Sequence, residues 1–300
     1  MKKTAIWLII AVVLFLLGGI IFVGALYMAG WDFKALSNNN YNTNTVDITK
    51  EFQNISVVSD TEDITFALSE DSKCRVVFYE KENERHSATV VDNTLSITNV
   101  ENKKWYEHIS FFSFGTQKII VYLPQSDYDL LKIRESTGDV EIPNDFTFGG
   151  IDISVSTGDI NLCASAKGEV SITTSTGDIS AKDFSAKQLN ISVSTGKANL
   201  KNIECDNLYS SGSTGDIILN NVICKGRMNI SRSTGDVKLL ASDSGELLIE
   251  TDTGDVTGSL LTSKVFITQS DTGRIDVPET LAGGKCKITT DTGDIRISIE

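Results

Sequence analysis

A four-residue turn signal organises the hydrophobic pattern of this chain. The sequence Ser-Thr-Gly-Asp begins at Ser136 and returns with small variations toward Glu300, and apolar residues alternate with polar ones around its copies. Alternation with a period of two is typical of a strand with one buried face, so each repeat predicts a strand before and a strand after the turn. Glycine supplies the positive φ that such a turn requires. The turn glycines are Gly138, Gly158, Gly177, Gly196, Gly215, Gly235, Gly254, Gly273 and Gly293.

Those glycines are 19 or 20 residues apart throughout. A fixed period of this length is typical of units that stack on their neighbours and share one core, because no single unit buries enough apolar surface alone. The pattern therefore predicts an all-β protein in which residues 135–300 form a β-solenoid, with one coil per repeat and the turns in register.

The segment 46–134 alternates in the same way but lacks the repeat. Asp92-Asn93 lies between two alternating runs and predicts a hairpin turn. Because the open end of a solenoid needs a dissimilar terminal unit to shield its core, we predict that 46–134 forms a β-rich N-terminal cap.

The pattern at the N-terminus is of another kind. Residues 5–29 contain no charged side chain over 25 positions, and a helix of that length would extend for about 37 Å, against about 30 Å for the hydrocarbon core of a bilayer. We predict a short cytoplasmic start at 1–4, a transmembrane helix over 5–29 and a polar linker over 30–45. A cleaved signal peptide is the alternative, but the apolar run is long for one and no small-x-small site follows it.

The flanking charges predict an orientation for this helix. Lys2 and Lys3 precede it, whereas Lys34 is the only cation soon after it. Because cytoplasmic flanks carry the excess of Lys and Arg, we expect a single-pass protein of the cell membrane with a cytoplasmic N-terminus and an extracytoplasmic solenoid. Five cysteines argue the other way, since unpaired thiols suit a reducing cytosol. Cys205 and Cys224 should lie in neighbouring coils, where they form either a disulfide or, as we favour, part of the core.

Composition excludes several classes of function. The formal net charge is −13 and the sequence pI is about 4.7, which argues against a nucleic-acid partner because phosphates require a basic surface. Two histidines leave little material for histidine-based catalysis or for zinc binding. We therefore expect no cofactor.

The segment KKWYEHISFFSFGTQKIIVYLP, followed by LKIRESTGDVEI and the serial STGDI turns, resembles the bacterial "putative adhesin" domain family, whose function is unknown. With its N-terminal apolar segment, the whole chain is similar to LiaG-type membrane proteins, which are encoded near cell-envelope stress regulators in Gram-positive bacteria. The resemblance covers residues 46–300. It implies a β-solenoid at the cell envelope and supplies no catalytic residues.

Stacked turns place equivalent residues in columns, and two columns carry charge. The residue after each turn glycine is acidic except for Lys197 and Arg274, and because adjacent carboxylates repel each other we interpret these cations as relief of that repulsion. Two residues before the glycine, serine gives way to aspartate in the last three repeats. Stacked carboxylates suit Ca²⁺, although aspartate can also replace serine as a turn-capping acceptor, which we favour. The calcium hypothesis involves Asp252, Asp255, Asp271, Asp291 and Asp294.

Two enzymatic alternatives are weaker than a binding role. The last three turns read Asp-Thr-Gly, the catalytic tripeptide of aspartic proteases, but that enzyme needs two such loops facing each other. A polysaccharide lyase or hydrolase on a β-helix needs irregular loops that wall a cleft, whereas these turns are short and uniform. We predict a non-catalytic protein.

An aromatic cluster beside Lys103 and Lys104 is the densest outside the N-terminal helix. Aromatic side chains with flanking lysines suit a partner-docking or membrane-contacting surface. The alternative, which we favour, is a hydrophobic plug under the first coil. The residues of this patch are Trp105, Tyr106, Phe111, Phe112 and Phe114.

Together these patterns predict a membrane-anchored extracytoplasmic solenoid that binds or scaffolds at the cell envelope. Its expected partners are the membrane, through the helix, and a wall polymer or a membrane protein, through repeated weak contacts. The sequence IRISI follows the last turn, and an unpaired strand edge there would invite another chain. Self-association into a structural polymer is therefore the alternative function.

Overall fold

The computed structural model describes residues 3–28, 41–81, 85–100 and 117–300. These residues form a helix, α1 (Lys3–Met28), and a series of strands. Among them, no helix has the combination of length and apolar character that crossing a membrane requires. The strands are β1 (Tyr41–Ile48), β2 (Asn54–Ser59), β3 (Glu62–Leu68), β4 (Cys74–Lys81), β5 (Arg85–Val91), β6 (Thr94–Val100), β7 (Gln117–Leu123), β8 (Tyr128–Thr137), β9 (Val140–Ile142), β10 (Thr147–Thr157), β11 (Ile160–Leu162), β12 (Ser165–Ala166), β13 (Glu169–Thr176), β14 (Ile179–Thr195), β15 (Ala198–Thr214), β16 (Ile217–Thr234), β17 (Val237–Thr253), β18 (Val256–Leu260), β19 (Lys264–Thr272), β20 (Ile275–Asp276), β21 (Gly284–Thr292) and β22 (Ile295–Ile299).

Each regular coil has three sides, as β14 illustrates. Side 1, residues 179–181, follows a Ser-Thr-Gly-Asp turn; side 2 is residues 184–186; side 3, residues 188–195, leads into the next turn. Alternate side chains on every side point inward and are buried in one continuous core. The parallel partners of β14 in β15 lie 19 residues later in the sequence. The predicted all-β solenoid is confirmed.

The turn glycines have a second reason to be glycine beyond their backbone conformation. Gly177 has a φ of +139°, as the turn signal predicts. A Cβ atom placed on it would also lie 2.0 Å from the carbonyl oxygen of Gly158 in the preceding coil. Coils therefore stack this closely only if the corner carries no side chain.

The N-terminal cap continues the solenoid in addition to covering it. Strands β2 and β3 stack in parallel on β8 and β9, and β6 and β7 stack in parallel on β2 and β3. Strands β1, β4 and β5 pair antiparallel with their neighbours. The two irregular coils lack the 19-residue period because β4 and β5 interrupt the chain between β3 and β6, and residues 101–116 separate β6 from β7.

Two local features of the cap bear on the sequence predictions. Asp92 and Asn93 join β5 to β6 with φ values of 47° and 61°, so the predicted hairpin turn is confirmed. Strand β1 begins at Tyr41, inside the segment expected to be linker, and pairs along its whole length with β4. Backbone pairing with an existing strand orders this Asn- and Thr-rich segment although it has little apolar alternation.

The last coils are ordered differently in space and in sequence. Strands β17 and β18 pair with β21 and β22, and these pair in turn with β19 and β20. The later segment 284–299 is thus inserted under the earlier segment 264–276, which forms the terminal coil. The expectation that IRISI, in β22, presents an unpaired edge holds only in part. Strand β18 pairs with all of β22, whereas β20 covers only Ile295 and Arg296, so residues 297–299 have no partner on that side among the described strands.

Lys264 lies where the chain passes from β18 to β19 and leaves one coil position open for β21 and β22. Its Nζ atom lies 2.5 Å from Oδ1 of Asp243 and 2.6 Å from the carbonyl oxygen of Ser244, both on β17, and the side chain is 3% exposed. Gly284 of the inserted β21 pairs with Lys264 and has no side chain to obstruct this reach. A buried charge pair therefore fixes the crossover from β18 to β19.

Candidate binding surface

The aspartates that follow the turn glycines form a hydrogen-bonded ladder along one corner of the solenoid. Oδ1 of Asp159 accepts the backbone N–H of Asp178 at 2.7 Å, and the N–H of Asp159 donates to Oδ1 of Asp139 at 2.8 Å. Each carboxylate thus pairs a backbone donor of the adjoining coil. The ladder also extends into the cap, where Oδ1 of Asp63 accepts the N–H of Asp139 at 3.1 Å.

Cations occur at regular positions along this corner. Lys197 lies between aspartates, with its Nζ 3.5 Å from Oδ2 of Asp216. Lys118 is beside Asp63 in the strand register at the cap end. Because of the coil order, Arg274 lies at the end of the column and not among the aspartates. Its N–H donates to Oδ1 of Asp294 at 2.7 Å. In spatial order the corner reads Lys118, Asp63, Asp139, Asp159, Asp178, Lys197, Asp216, Asp236, Asp255, Asp294 and Arg274.

The residues of the calcium hypothesis lie along this corner in the last coils. Asp255 and Asp294 use Oδ1 to accept backbone N–H groups at 2.8 and 2.7 Å, and Asp252, Asp271 and Asp291 are exposed. Within the described part of the chain, no three His, Cys, Asp or Glu side chains are grouped so that they could hold a metal ion. Calcium binding stays a prediction. In the ladder, the carboxylates of Asp255 and Asp294 accept backbone N–H groups of the adjoining coil.

The aromatic patch of Trp105, Tyr106, Phe111, Phe112 and Phe114 lies outside the described residues, in 101–116. Its role as a plug or as a docking surface stays a prediction.

Side 3 of the central coils carries an uncharged polar surface, which we call the neutral face. Its side chains point outward from β13, β14, β15 and β16 and stack in two parallel rows. Tyr209 stands in one row between Asn190 and Asn229, with 37% of its surface exposed. The outward residues are Ser171, Thr173, Asn190, Ser192, Tyr209, Ser211, Asn229 and Ser231, and they line a shallow groove of about 360 Å³.

Charged side chains border the neutral face at both ends. Arg134 on β8 and Asp152 on β10 form an ion pair toward the cap, and Glu250 on β17 follows Ser231 toward the terminal coil. Inside those borders Tyr209 is the only titratable side chain among the described lining residues. Glu169, exposed at the start of β13, lies beside the face, and its Oε1 accepts a hydrogen bond from Nδ2 of Asn190. In a chain of net charge −13, the eight residues themselves carry no charge and offer hydrogen bonding and ring stacking.

A buried cluster of titratable groups lies at the junction of the cap and the first coil. The ring of His86 has 1% of its side chain exposed, and its Nδ1 lies 2.9 Å from Oε2 of Glu80. Nε2 lies 3.1 Å from Oε1 of Glu62 without meeting hydrogen-bond geometry. Oε2 of Glu62 accepts the hydroxyl of Ser59 at 2.6 Å. Glu135 is buried beside Ser59, and its Oε2 has no hydrogen-bond partner.

Burial and contacts set the pKa values of this cluster in different directions. Burial alone would raise the pKa of Glu62, but contacts with His86, Ser59 and Thr61 outweigh it and lower that pKa to about 2. Burial would lower the pKa of His86, but Glu62 and Glu80 outweigh it, so the pKa is raised. For Glu135 burial dominates and raises the pKa to about 7. The cluster is enclosed and so offers no surface to a substrate.

Cys205 and Cys224 lie in neighbouring coils with their Sγ atoms 2.8 Å apart, and both are buried free thiols. The expectation that they lie one coil apart is confirmed, and they occupy inward positions of the core. Cys74 and Cys286 are also buried, and Cys163 is half-buried.

Sequence reasoning missed the neutral face and the buried charges. The signal for the neutral face was present, since two outward positions of side 3 carry only Ser, Thr, Asn and Tyr in four successive repeats. The signal for the buried charges was the residue before each turn serine, which is an inward position. Regular coils have Val155, Thr174 and Val193 there. Two other coils have Glu135 and Arg232.

Comparison with solved structures supports the fold. A structure described as a "putative adhesin" from Bacteroides fragilis is 19% identical and covers 73% of this chain and 97% of its own, with a TM-score of 0.50. A "putative adhesin" from Parabacteroides merdae is 13% identical and covers 87% of this chain and 98% of its own, with a TM-score of 0.49. At 19% identity, the likeness to the Bacteroides fragilis structure concerns the fold alone.

Comparison with curated proteins finds no match. The sequence profile of the Toastrack DUF4097 family, in contrast, matches residues 52–298, which span both irregular cap coils and nearly the whole repeat region. The chain belongs to the Toastrack DUF4097 family.

Proposed function

We propose that this chain is a non-catalytic, membrane-anchored binding module of the cell envelope, and that its neutral face binds an uncharged, hydroxyl-rich polymer such as a neutral wall polysaccharide. The observation that carries the proposal is the stacking of eight outward Ser, Thr, Asn and Tyr residues on side 3. The "putative adhesin" descriptions of the similar structures agree with a binding role at a surface.

The chemistry of the neutral face fits a sugar chain. Serine and threonine hydroxyls both donate and accept hydrogen bonds, and asparagine amides offer a donor and an acceptor side by side. The ring of Tyr209 supplies a flat apolar surface for a sugar ring and a hydroxyl at its tip. Coils repeat about every 4.8 Å, so weak contacts recur along a polymer and add through multivalency.

Charge argues for an uncharged ligand. A protein of net charge −13 repels anionic polymers at long range, whereas a neutral polymer is unaffected by that field. A larger groove of about 980 Å³, between residues 47–53 and 124–128, mixes charges of both signs and has no stacked repeat of one side-chain type. The neutral face is therefore the better candidate surface.

A catalytic role receives less support than binding. General acid–base catalysis requires titratable groups within reach of the substrate, and the neutral face provides only the tyrosine. Glu62 and His86 have shifted pKa values, but both side chains are closed to solvent.

Membrane anchoring is the part of the proposal that rests on sequence. The 25 uncharged residues 5–29 are long enough for a bilayer, and the lysines before them favour a cytoplasmic N-terminus with the solenoid outside. The neutral face would then be presented to wall polymers.

Co-sedimentation of the detergent-solubilised full chain with insoluble neutral polysaccharides tests the binding surface. We expect Tyr209→Ala to weaken binding about tenfold or more, because the aromatic contact is central to the face. Tyr79→Ala is the matched control, since Tyr79 on β4 is 39% exposed and lies away from the face. We also expect little dependence on salt. Equal loss in both variants, or stronger binding to anionic polymers, would contradict the proposal.

A further inference from the structure

The terminal coil leaves one long strand with a free edge. Within the described residues, β19 pairs with β21 and with no other strand. On the paired strand β17, the carbonyl of Ile249 points to the following coil, where it accepts the hydroxyl of Thr289, and Ile249 is equivalent to Thr268 of β19 in the coil register. Because backbone groups alternate in direction along a strand, the N–H and C=O groups of Phe266, Thr268 and Ser270 point away from β21, along the solenoid axis.

The composition of this edge lacks the usual protection against pairing. Edge strands of soluble proteins are commonly protected by charges, proline or bulges. Residues 265–270 (VFITQS) contain no charge and no proline, and are rich in residues that favour strands. Val265 and Ile267 point outward and are 38% and 50% exposed. The edge therefore presents both unpaired backbone groups and apolar side chains.

The net charge at this end of the solenoid is low enough for two copies of the chain to make contact there. Residues 264–300 contain five Lys and Arg and six Asp and Glu, a net charge of −1, although the whole chain carries −13. Two copies that meet at their terminal coils thus avoid most of the repulsion that other surfaces of the solenoid would produce.

We propose that β19 pairs antiparallel with β19 of a second copy, so that two solenoids join end to end through a two-fold axis at Thr268. This register places Thr268 opposite itself and Phe266 opposite Ser270, and each of these three residues contributes its free backbone groups to the new ladder. The exposed Ile267 is then opposite Gln269. The neutral face on β13–β16 lies apart from this junction, so dimerisation and polysaccharide binding are independent.

Cysteine cross-linking of the full chain in detergent tests the register. Opposed residues of a hydrogen-bonded antiparallel pair have Cα atoms about 5.5 Å apart, which suits a disulfide. We expect oxidised Thr268→Cys to migrate at twice the monomer mass without reductant. Val58→Cys is the control, because Val58 is 47% exposed on β2, which is paired on both sides. The unmodified chain gives the background from its own cysteines. Equal dimer in both variants, or none in Thr268→Cys, would overturn the proposal.

A second variant tests the contact without a cross-link. Ile267→Lys places a charge at an exposed position next to the two-fold axis, where the lysines of the two copies would lie close together. We therefore expect the dimer to be lost in sedimentation equilibrium under density-matched detergent. Val58→Lys should retain it. A dimer that survives Ile267→Lys would show association through another segment and would refute pairing at β19. Polysaccharide binding by Ile267→Lys reports separately on the neutral face.

Discussion

Single residues at the inward position before each turn serine show how the solenoid tolerates exceptions. Most coils place a small or β-branched residue there, whereas Arg232 buries a guanidinium with 3% exposure. Its Nη2 donates to Oγ of Ser210 at 2.9 Å, but Nε has no partner, and burial lowers its pKa to about 10. The neighbouring coil has Gly212 at this position, and a Cβ there would lie 2.3 Å from Nη1 of Arg232. Glycine thus provides the space that the arginine fills.

Replacing this arginine should stabilise the protein. Arg232→Met keeps most of the volume and removes a poorly paired buried charge, so we expect the free energy of unfolding to rise by about 1 kcal/mol or more. Urea denaturation measures the change. Arg227→Met is the control on the same strand, where an exposed pair with Glu246 at 2.8 Å should contribute less than about 1 kcal/mol. A loss of stability in Arg232→Met would show that the guanidinium is better satisfied than its contacts indicate.

Two substitutions in the aspartate ladder distinguish the contribution of the hydrogen bond from that of the negative charge. Asp159→Ala leaves the N–H of Asp178 without its acceptor and should destabilise the fold by about 1 kcal/mol. Asp159→Asn keeps an acceptor oxygen and removes one charge from an acidic row, so its stability should equal or exceed that of the unchanged chain at low salt. Thermal melts at two salt concentrations distinguish the effects. Equal destabilisation by both variants would mean that the charge, and not the acceptor, matters.

At the scale of elements, the cap and the first coil are joined by groups that titrate near neutrality. The pKa of Glu135 in the folded protein, about 7, is above its ordinary value, so its contribution to stability is complete below about pH 4.5 and is lost as the pH rises through 7. The raised pKa of His86 acts in the same direction at higher pH. The lowered pKa of Glu62 contributes above about pH 4.5 and is lost only toward pH 2.

We therefore expect the melting temperature to be highest at about pH 5 and to fall as the pH rises toward 8. Glu135→Gln should reduce the part of this fall below about pH 7, because the Glu135 carboxyl otherwise weakens the fold by about 1.4 kcal/mol for each pH unit between its ordinary pKa and its raised pKa of about 7, and by no more above that. Glu141→Gln, an exposed change on β9, should leave the profile unchanged. A pH profile of Glu135→Gln that matches the original chain would assign the titration to other groups.

The elements also show where prediction from sequence succeeded and where it failed. The repeat region was predictable because Gly177 and its equivalents mark each corner and the inward residues alternate around them. The inserted coil was not, because 264–276 and 284–299 carry the same turn signal and periodicity cannot decide which one stacks on β17. That order depends on Lys264 reaching Asp243 past Gly284, a contact between residues distant in sequence. The neutral face required the coil register before its residues could be seen as neighbours.

At the scale of the whole molecule, the proposed orientation can be tested on intact cells. Protease treatment from outside, followed by detection with an antibody to the repeat region, should remove the solenoid signal if the helix anchors it outside the membrane. A cytoplasmic marker protein should remain intact in the same cells. Protection of the solenoid until lysis would place it in the cytosol and would remove wall polysaccharides as ligands.

The inserted coil has a consequence for the order in which the protein forms. A ribosome delivers 264–276 before 284–299, yet β19 and β20 reach their places only when β21 and β22 lie beneath them. Coil-by-coil assembly behind the emerging chain can therefore proceed as far as β18 and must then wait. Until β21 and β22 have formed, the uncharged segment 265–270 has no strand to pair with on the solenoid. During that time it is available to chaperones or to another nascent chain.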